Sequence, residues 1–142
     1  MRDERTVICS PAVFDLIAPD APVVSVNVDL TYNSRDPFAV QASFRTGNGT
    51  AVDWVFARDL LHGGLVGPAG AGDVRVQPMP GIPAKVQLEL SSPSGHATFT
   101  TCATTLGDFL CRTFEAVPAG SEYSWLDFDM ALSELLNESA HD

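Results

Sequence analysis

Residues 36–61 read DPFAVQASFRTGNGTAVDWVFARDLL, and three structural periods succeed one another within them. Phe38, Val40, Ala42 and Phe44 alternate with Ala39, Gln41, Ser43 and Arg45, the two-residue period of a strand with one buried and one solvated face. Gly47-Asn48-Gly49 supplies residues that tolerate positive φ, so the chain is expected to reverse into a second strand in which Val52, Trp54 and Phe56 share a face. Residues 58–62 then fit a single helical turn, and Gly63-Gly64 is expected to stop it by adopting the left-handed conformation that ends helices. No part of this unit is a catalytic constellation.

Working outward, residues 7–16 read as a first strand interrupted by Pro11, a proline that a sheet edge or a bulge accommodates best. Val24, Val26, Val28, Leu30 and Tyr32 alternate with Ser25, Asn27, Asp29 and Thr31, the cleanest strand pattern in the chain. Residues 34–37 turn it. Beyond the central unit, residues 67–72 read as a flexible loop, Val74 and Val76 mark a strand, and residues 79–83 form a connector. Val86, Leu88 and Leu90 alternate with Lys85, Gln87 and Glu89 before a turn at 93–95, and residues 96–101 complete the sheet. The period then changes to 3.6. Leu106, Phe109, Leu110, Thr113, Phe114 and Val117 form the apolar face of a helix ended by Pro118, and Phe128, Ala131, Leu132, Leu135 and Leu136 repeat the pattern in a second helix with Asp127 as its N-cap. Strands first and helices last predict an α+β fold: a mostly antiparallel sheet of about seven strands with C-terminal helices packed on it, in one domain over residues 1–142.

A chain of 142 residues buries about two thirds of its unfolded surface in one core, without needing a metal or a disulfide. Eight Lys and Arg stand against eighteen Asp and Glu, a formal charge of -10, and Lys85 is the one lysine. After Arg112 there is no Lys or Arg, while Glu115, Glu122, Asp127, Asp129, Glu134, Glu138 and Asp142 are all acidic. Such a field repels phosphate backbones and anionic membrane surfaces and attracts basic partners. Asp3 and Glu4 occupy the place where a secretion signal needs positive charge, and no run of about 18 apolar residues exists for a spanning helix. A cytoplasmic protein without direct membrane insertion is expected. Cys9, Cys102 and Cys111 are odd in number and form no CxxC, which points to reduced, partly buried thiols, with Cys111 a small packed side chain in its helix.

The segments DPFAVQASF, VDWVFARDLL and GDVRVQP (72–78), followed in order by LSSPSGHATF (90–99), LGDFLCRTFEAVPAGSE (106–122) and FDMALSELL (128–136), resemble the SsgA-like family of small cell-division proteins from sporulating actinobacteria. The likeness covers roughly residues 23–137, and within the family the SsgB-like branch is one that it resembles. It implies an architecture similar to whirly-type single-stranded nucleic-acid binders and assembly as a homotrimer. It also implies a non-enzymatic adaptor at division septa, whose partners are other division proteins: SsgA-like proteins and the tubulin-like ring protein FtsZ. Binding of single-stranded nucleic acid is the alternative that the whirly likeness suggests. The shortage of basic residues argues against it, so no nucleic-acid partner is expected.

The residues themselves offer little chemistry. GPAGAGDV lacks the Lys-Ser/Thr of a phosphate loop and the third glycine of a dinucleotide turn. Ser94-Gly95-His96 places a hydroxyl near a base only in a tight turn, with no nucleophile elbow around it. Asp127 and Asp129 lack the further oxygens of a calcium loop, and His62 has no second His or Cys at metal spacing. Neither a cofactor nor a metal is expected. One cluster, Trp54 with Arg58 and Asp59, is the candidate for protein recognition. Its bland account is a Trp anchored in the core beside a surface ion pair of small energetic value.

Overall fold

The computed structural model describes residues 5–122. Seven strands, β1 (Val7–Ile17), β2 (Val24–Asn33), β3 (Ala39–Arg45), β4 (Ala51–Ala57), β5 (Val74–Met79), β6 (Lys85–Ser92) and β7 (Gly95–Cys102), form one sheet in the order β4-β3-β2-β1-β7-β6-β5. Every pairing is antiparallel. Two helices accompany them, α1 (Arg58–Gly63) between β4 and β5 and α2 (Ala103–Ala116) after β7. The second expected helix, with Asp127 as N-cap, lies outside the described residues.

The alternations set the register. Val28, Leu30 and Tyr32 of β2, Val40, Ala42 and Phe44 of β3 and Val86, Leu88 and Leu90 of β6 are all buried on one face. That face is concave. Phe44 of β3 and Phe99 of β7 have β2 and β1 between them, a separation of about 14 Å in a flat sheet, yet their ring centroids lie 5.0 Å apart. Phe14 of β1 meets Phe44 edge-on at 5.4 Å, so the three rings form the floor of a tightly curled sheet.

Antiparallel order sorts the strand termini into two ends. At one end lie the close of β2, β4 and β7, and there α2 leaves β7 and packs on β1, β7 and β6. Leu106, Phe109, Leu110 and Thr113 of this helix, and Val117 just past its end, are buried, as the 3.6-residue repeat requires, while Phe114 packs half-buried against the core. The other end carries the turn at 46–50, closed by hydrogen bonds between Thr46 and Thr50 with Gly49 at φ 79°, and the tight hairpin joining β6 to β7.

Several expectations change. Pro11 belongs neither to an edge strand nor to a bulge: β1 is the middle strand and pairs with β2 in unbroken register. Strand β7 joins β1 only from Phe14 onward, so Pro11 sits where β2 is the one paired strand. Gly64 follows α1 as expected, but at φ -68°, in ordinary right-handed geometry. Its lack of a side chain serves close approach instead. A Cβ there would stand 2.5 Å from Cβ of Val76 and closer still to one of its methyls, so the chain crossing from β4 to β5 rests directly on the sheet. The loop 67–72 is likewise pinned, Ala69 exchanging two backbone hydrogen bonds with Val76. Cys111 and Cys9 are exposed and Cys102 is half-buried, so the packed thiol expected in α2 is not found.

Gly64→Ala is predicted to destabilise the protein by about 1–3 kcal/mol, the usual cost of forcing atoms into a packed contact. Denaturant unfolding checks it, and adding Val76→Ala should make the combined loss smaller than the sum of the separate losses.

Candidate functional site

The sequence cluster divides on folding. Along β4 the inward face carries Val52, Trp54 and Phe56, and the same two-residue beat continues into the first residue of α1. Arg58 therefore turns inward and is completely buried. Its Nη1 donates to the carbonyls of Thr113 (3.1 Å) and Val117 (2.8 Å), and its Nη2 donates to Oε2 of Glu122 at 3.0 Å. The guanidinium lies over the Phe114 ring, 4.1 Å from its centroid, and 5.1 Å from that of Tyr32. The expected surface pair of Arg58 with Asp59 is thus corrected. Asp59 is exposed in the first turn of α1, whereas Arg58 is held by the last turn of α2 and by Glu122, and no partner can touch it in this fold.

This inward arginine shapes its neighbours' titration. Glu122 is held below the ordinary carboxylate value of 4.5, first by its own backbone N–H, against the opposing effect of burial, with the Arg58 and Gly120 N–H groups adding to it. Burial pushes the Tyr32 hydroxyl up to about 12, moderated by the Arg58 charge. That hydroxyl donates to the Pro37 carbonyl at 2.9 Å.

Trp54 points to the opposite end of the curl. It is half-buried, stacks on Phe56 with centroids 6.2 Å apart, and forms one wall of a cleft of about 810 Å³ at the end away from α2. Phe44, Phe99, Leu16, Leu90 and Val26 complete the apolar lining. Val24 and Val52 also line it but remain 53% and 50% exposed, although strand parity points both inward. Among the described lining residues there is no Asp or Glu, and the charged or titratable groups are Arg45 and His96. Arg45 pairs with Asp29 across β2 and β3, its Nε donating at 2.9 Å. In a chain of net charge -10, a concave apolar surface free of carboxylates is suited to receiving apolar side chains.

The other residues weighed for chemistry come apart. His96 Nδ1 is 2.9 Å from Ser91 Oγ, while the neighbouring Ser94 hydroxyl pairs with Ser92. His62 closes α1 and meets Phe114 edge-on at 5.0 Å. Cys102 stands before the first turn of α2, where hydrogen bonds from Thr105 and Thr104 lower its thiol below the ordinary value. Among the described residues no group of three or more His, Cys, Asp and Glu side chains could hold a metal ion, and no helix is long and apolar enough to cross a membrane. The cleft was missed because parity assigns inward residues to the core. The one available signal was that Val24, Val26 and Val52 crowd toward strand termini that meet at one end.

For Glu122→Ala, which strands the buried guanidinium, a loss of about 3 kcal/mol is expected in denaturant unfolding. The pH dependence has a definite sign. A carboxyl held low in the folded state contributes stability that is complete above its unfolded value and fades as the pH falls through the lowered one. Glu122→Gln should therefore flatten the acid limb of stability below about pH 4.5, leaving the curve near neutrality parallel to wild type.

Comparison with known proteins places this fold. The family model for the Streptomyces sporulation and cell division protein SsgA matches residues 26–122. The sporulation-specific cell division protein SsgB of Saccharopolyspora erythraea is 52% identical over 136 residues, 96% of each chain. That of Thermobifida fusca is 39% identical over 96% of this chain and all of the relative. A solved structure of an SsgA-like sporulation-specific cell division protein from Thermobifida fusca superposes with a TM-score of 0.85 at 39% identity, covering 94% of this chain and 98% of that one. A second, described in connection with SsgB mutations and longitudinal cell division during sporulation of Streptomyces coelicolor, gives 0.81 at 41% identity over 85% and 96%. With the curled antiparallel sheet and its packed helix in place, these likenesses make the chain a member of the SsgA-like family of sporulation and cell division proteins, in its SsgB branch.

Proposed function

We propose that this chain is a non-enzymatic adaptor of sporulation-associated cell division, working in the cytoplasm at the septum. There it would bind division proteins, SsgA-like partners and FtsZ among them, and help select the site and recruit the ring. The observation that supports this reading is the apolar cleft beside Trp54, with no carboxylate among its described lining residues, in a fold whose described candidate groups, His96, Ser94 and Cys102, lie apart from one another in separate contacts. The family relationship supplies the process, since the relatives are named as sporulation-specific division proteins. Homotrimer formation belongs to the same proposal, with exposed Val55 on the outward face of edge strand β4 available for self-association. Asp59 belongs to it as a peripheral polar contact and Trp54 as the central anchor.

Purified protein is expected to sediment as an oligomer and to capture FtsZ or an SsgA-like partner. Trp54→Ala should weaken that capture about thirtyfold, the ~2 kcal/mol typical of a buried aromatic anchor, with the far-ultraviolet spectrum unchanged. Asp59→Ala should change it less than about threefold, as rim charges do, and mainly through the salt dependence. A monomer that ignores every division protein offered would sink the reading. Retention of a single-stranded oligonucleotide at physiological salt is expected to be negligible, because the cleft offers Arg45 as its one always-charged cation among the described residues.

A further inference from the structure

The turn between β3 and β4 holds a reactive pair. Asn48 is followed by Gly49, and glycine places no side chain beside the backbone nitrogen that lies nearest the Asn48 amide carbon. Both residues are exposed, and a Cβ at Gly47 or Gly49 would meet nothing within 4 Å. The turn is closed only at its base, where the Thr46 N–H donates to the Thr50 carbonyl at 2.9 Å and the two hydroxyls lie 2.7 Å apart. Among the described residues no hydrogen bond engages the Gly49 N–H or the Asn48 side chain.

The other described asparagines lack these conditions. Asn27 is paired with Val13 inside the sheet, and the residue after it, Val28, is buried and branched at Cβ. Asn33 accepts the Arg35 N–H on its Oδ1 at 3.0 Å, and the Ser34 N–H that follows it is committed to the Thr6 carbonyl at 2.9 Å.

We propose that Asn48 is a site of spontaneous deamidation in the folded protein. The Gly49 nitrogen attacks Cγ of Asn48, a C–N bond forms, the Cγ–Nδ2 bond breaks, and the side-chain nitrogen leaves as ammonia with the Gly49 proton. Water then opens the resulting succinimide. Opening between Cγ and the Gly49 nitrogen gives aspartate, and opening at the main-chain carbonyl gives isoaspartate, in which the backbone runs through the former side chain. Water is the sole co-reactant.

Either product adds a negative charge to a chain of net charge -10, on the hairpin whose Arg45, Thr46 and Gly47 line the Trp54 cleft. Isoaspartate also lengthens the backbone inside the turn that sets Arg45 opposite Ala51. The chemistry thus acts on one wall of the cleft and leaves α2 and Arg58, at the other end of the sheet, as they are. Where the cleft receives a division protein, which rests on the function proposed above, a carboxylate arrives beside a surface whose described lining has none.

The test incubates the full-length folded protein in heavy-oxygen water at neutral pH and physiological temperature, then digests it with trypsin in ordinary water for mass spectrometry. Cleavage after Arg45 and Arg58 isolates residues 46–58, in which Asn48 is the one amide side chain. Heavy oxygen is expected at position 48 within days, and an isoaspartate-specific carboxyl methyltransferase should label the same peptide. The peptide 6–35, which carries Asn27 and Asn33, is expected to stay unchanged over that time. Gly49→Ala, which sets a methyl beside the attacking nitrogen, should slow the reaction several-fold. An unlabelled 46–58 peptide, equal labelling of 6–35, or labelling that begins only once the protein is unfolded would each overturn the proposal. The readout is covalent and involves no division protein, so failure here is distinct from failure to capture one.

Discussion

A buried guanidinium organises this molecule. Taking Arg58 out of water costs several kcal/mol, and that cost is offset only where its N–H groups find acceptors in fixed places. It finds three: two carbonyls in and just beyond the last turn of α2, and the Glu122 carboxylate. Those acceptors lie 55 to 64 residues away in sequence, so satisfying the arginine fixes the strand-to-helix junction at Ala57, the C-terminal end of α2 and the chain's exit at Glu122 relative to one another. The Thr113 carbonyl also accepts the Val117 N–H at 2.9 Å, so the guanidinium joins the hydrogen bonds that close the helix end. A cation at that position also meets the negative end of the helix dipole. Arg58 Nε is the buried side-chain atom left without a hydrogen-bond partner among the described residues.

The opposite end of the sheet follows from the same arrangement. Curling a seven-stranded sheet far enough to bring Phe44 within 5.0 Å of Phe99 makes a trough with two ends, and a 14-residue helix can plug only one. It plugs the end to which β7 delivers it and where Arg58 waits. The aromatic floor at the other end keeps its lining of Trp54, Val24 and Val52 partly accessible. The cleft is thus a by-product of closing the other end, and its place beside edge strand β4 gives it an approach from the side.

Much of this was legible in the chain. Strict alternation in residues 24–32 and 86–90 set two strands and their inward faces, and the 3.6-residue repeat from Leu106 to Val117 set α2. The motif order carried the family. The failures have physical causes. Arg58 stands on the inward beat of Val52, Trp54 and Phe56, so parity did point it to the core. The general rule that arginines stay outside prevailed, because the acceptors that make its burial affordable lie in α2 and beyond, and spacing cannot reveal them. Gly64 was credited to positive φ because helices commonly end that way; the need came from Val76, twelve residues on, pressing against its Cα. Cys111 lies one step around the helix from buried Leu110, and a single residue turns a side chain through about 100°, from core to solvent.

The distribution of charge gives the cleft its selectivity. A molecule with a net charge of -10 carries a negative potential over most of its exterior, and within about one Debye length, roughly 8 Å at physiological salt, that potential discriminates among ligands. Such a potential opposes the approach of phosphate backbones. Inside the cleft the carboxylates are missing from the described lining, and Arg45 is already matched by Asp29. In the proposed adaptor role, recognition there would depend on apolar area and shape, with the surrounding field selecting what approaches. An apolar segment with few charges, or one tethered so that repulsion elsewhere on the surface cannot drive it away, meets both conditions.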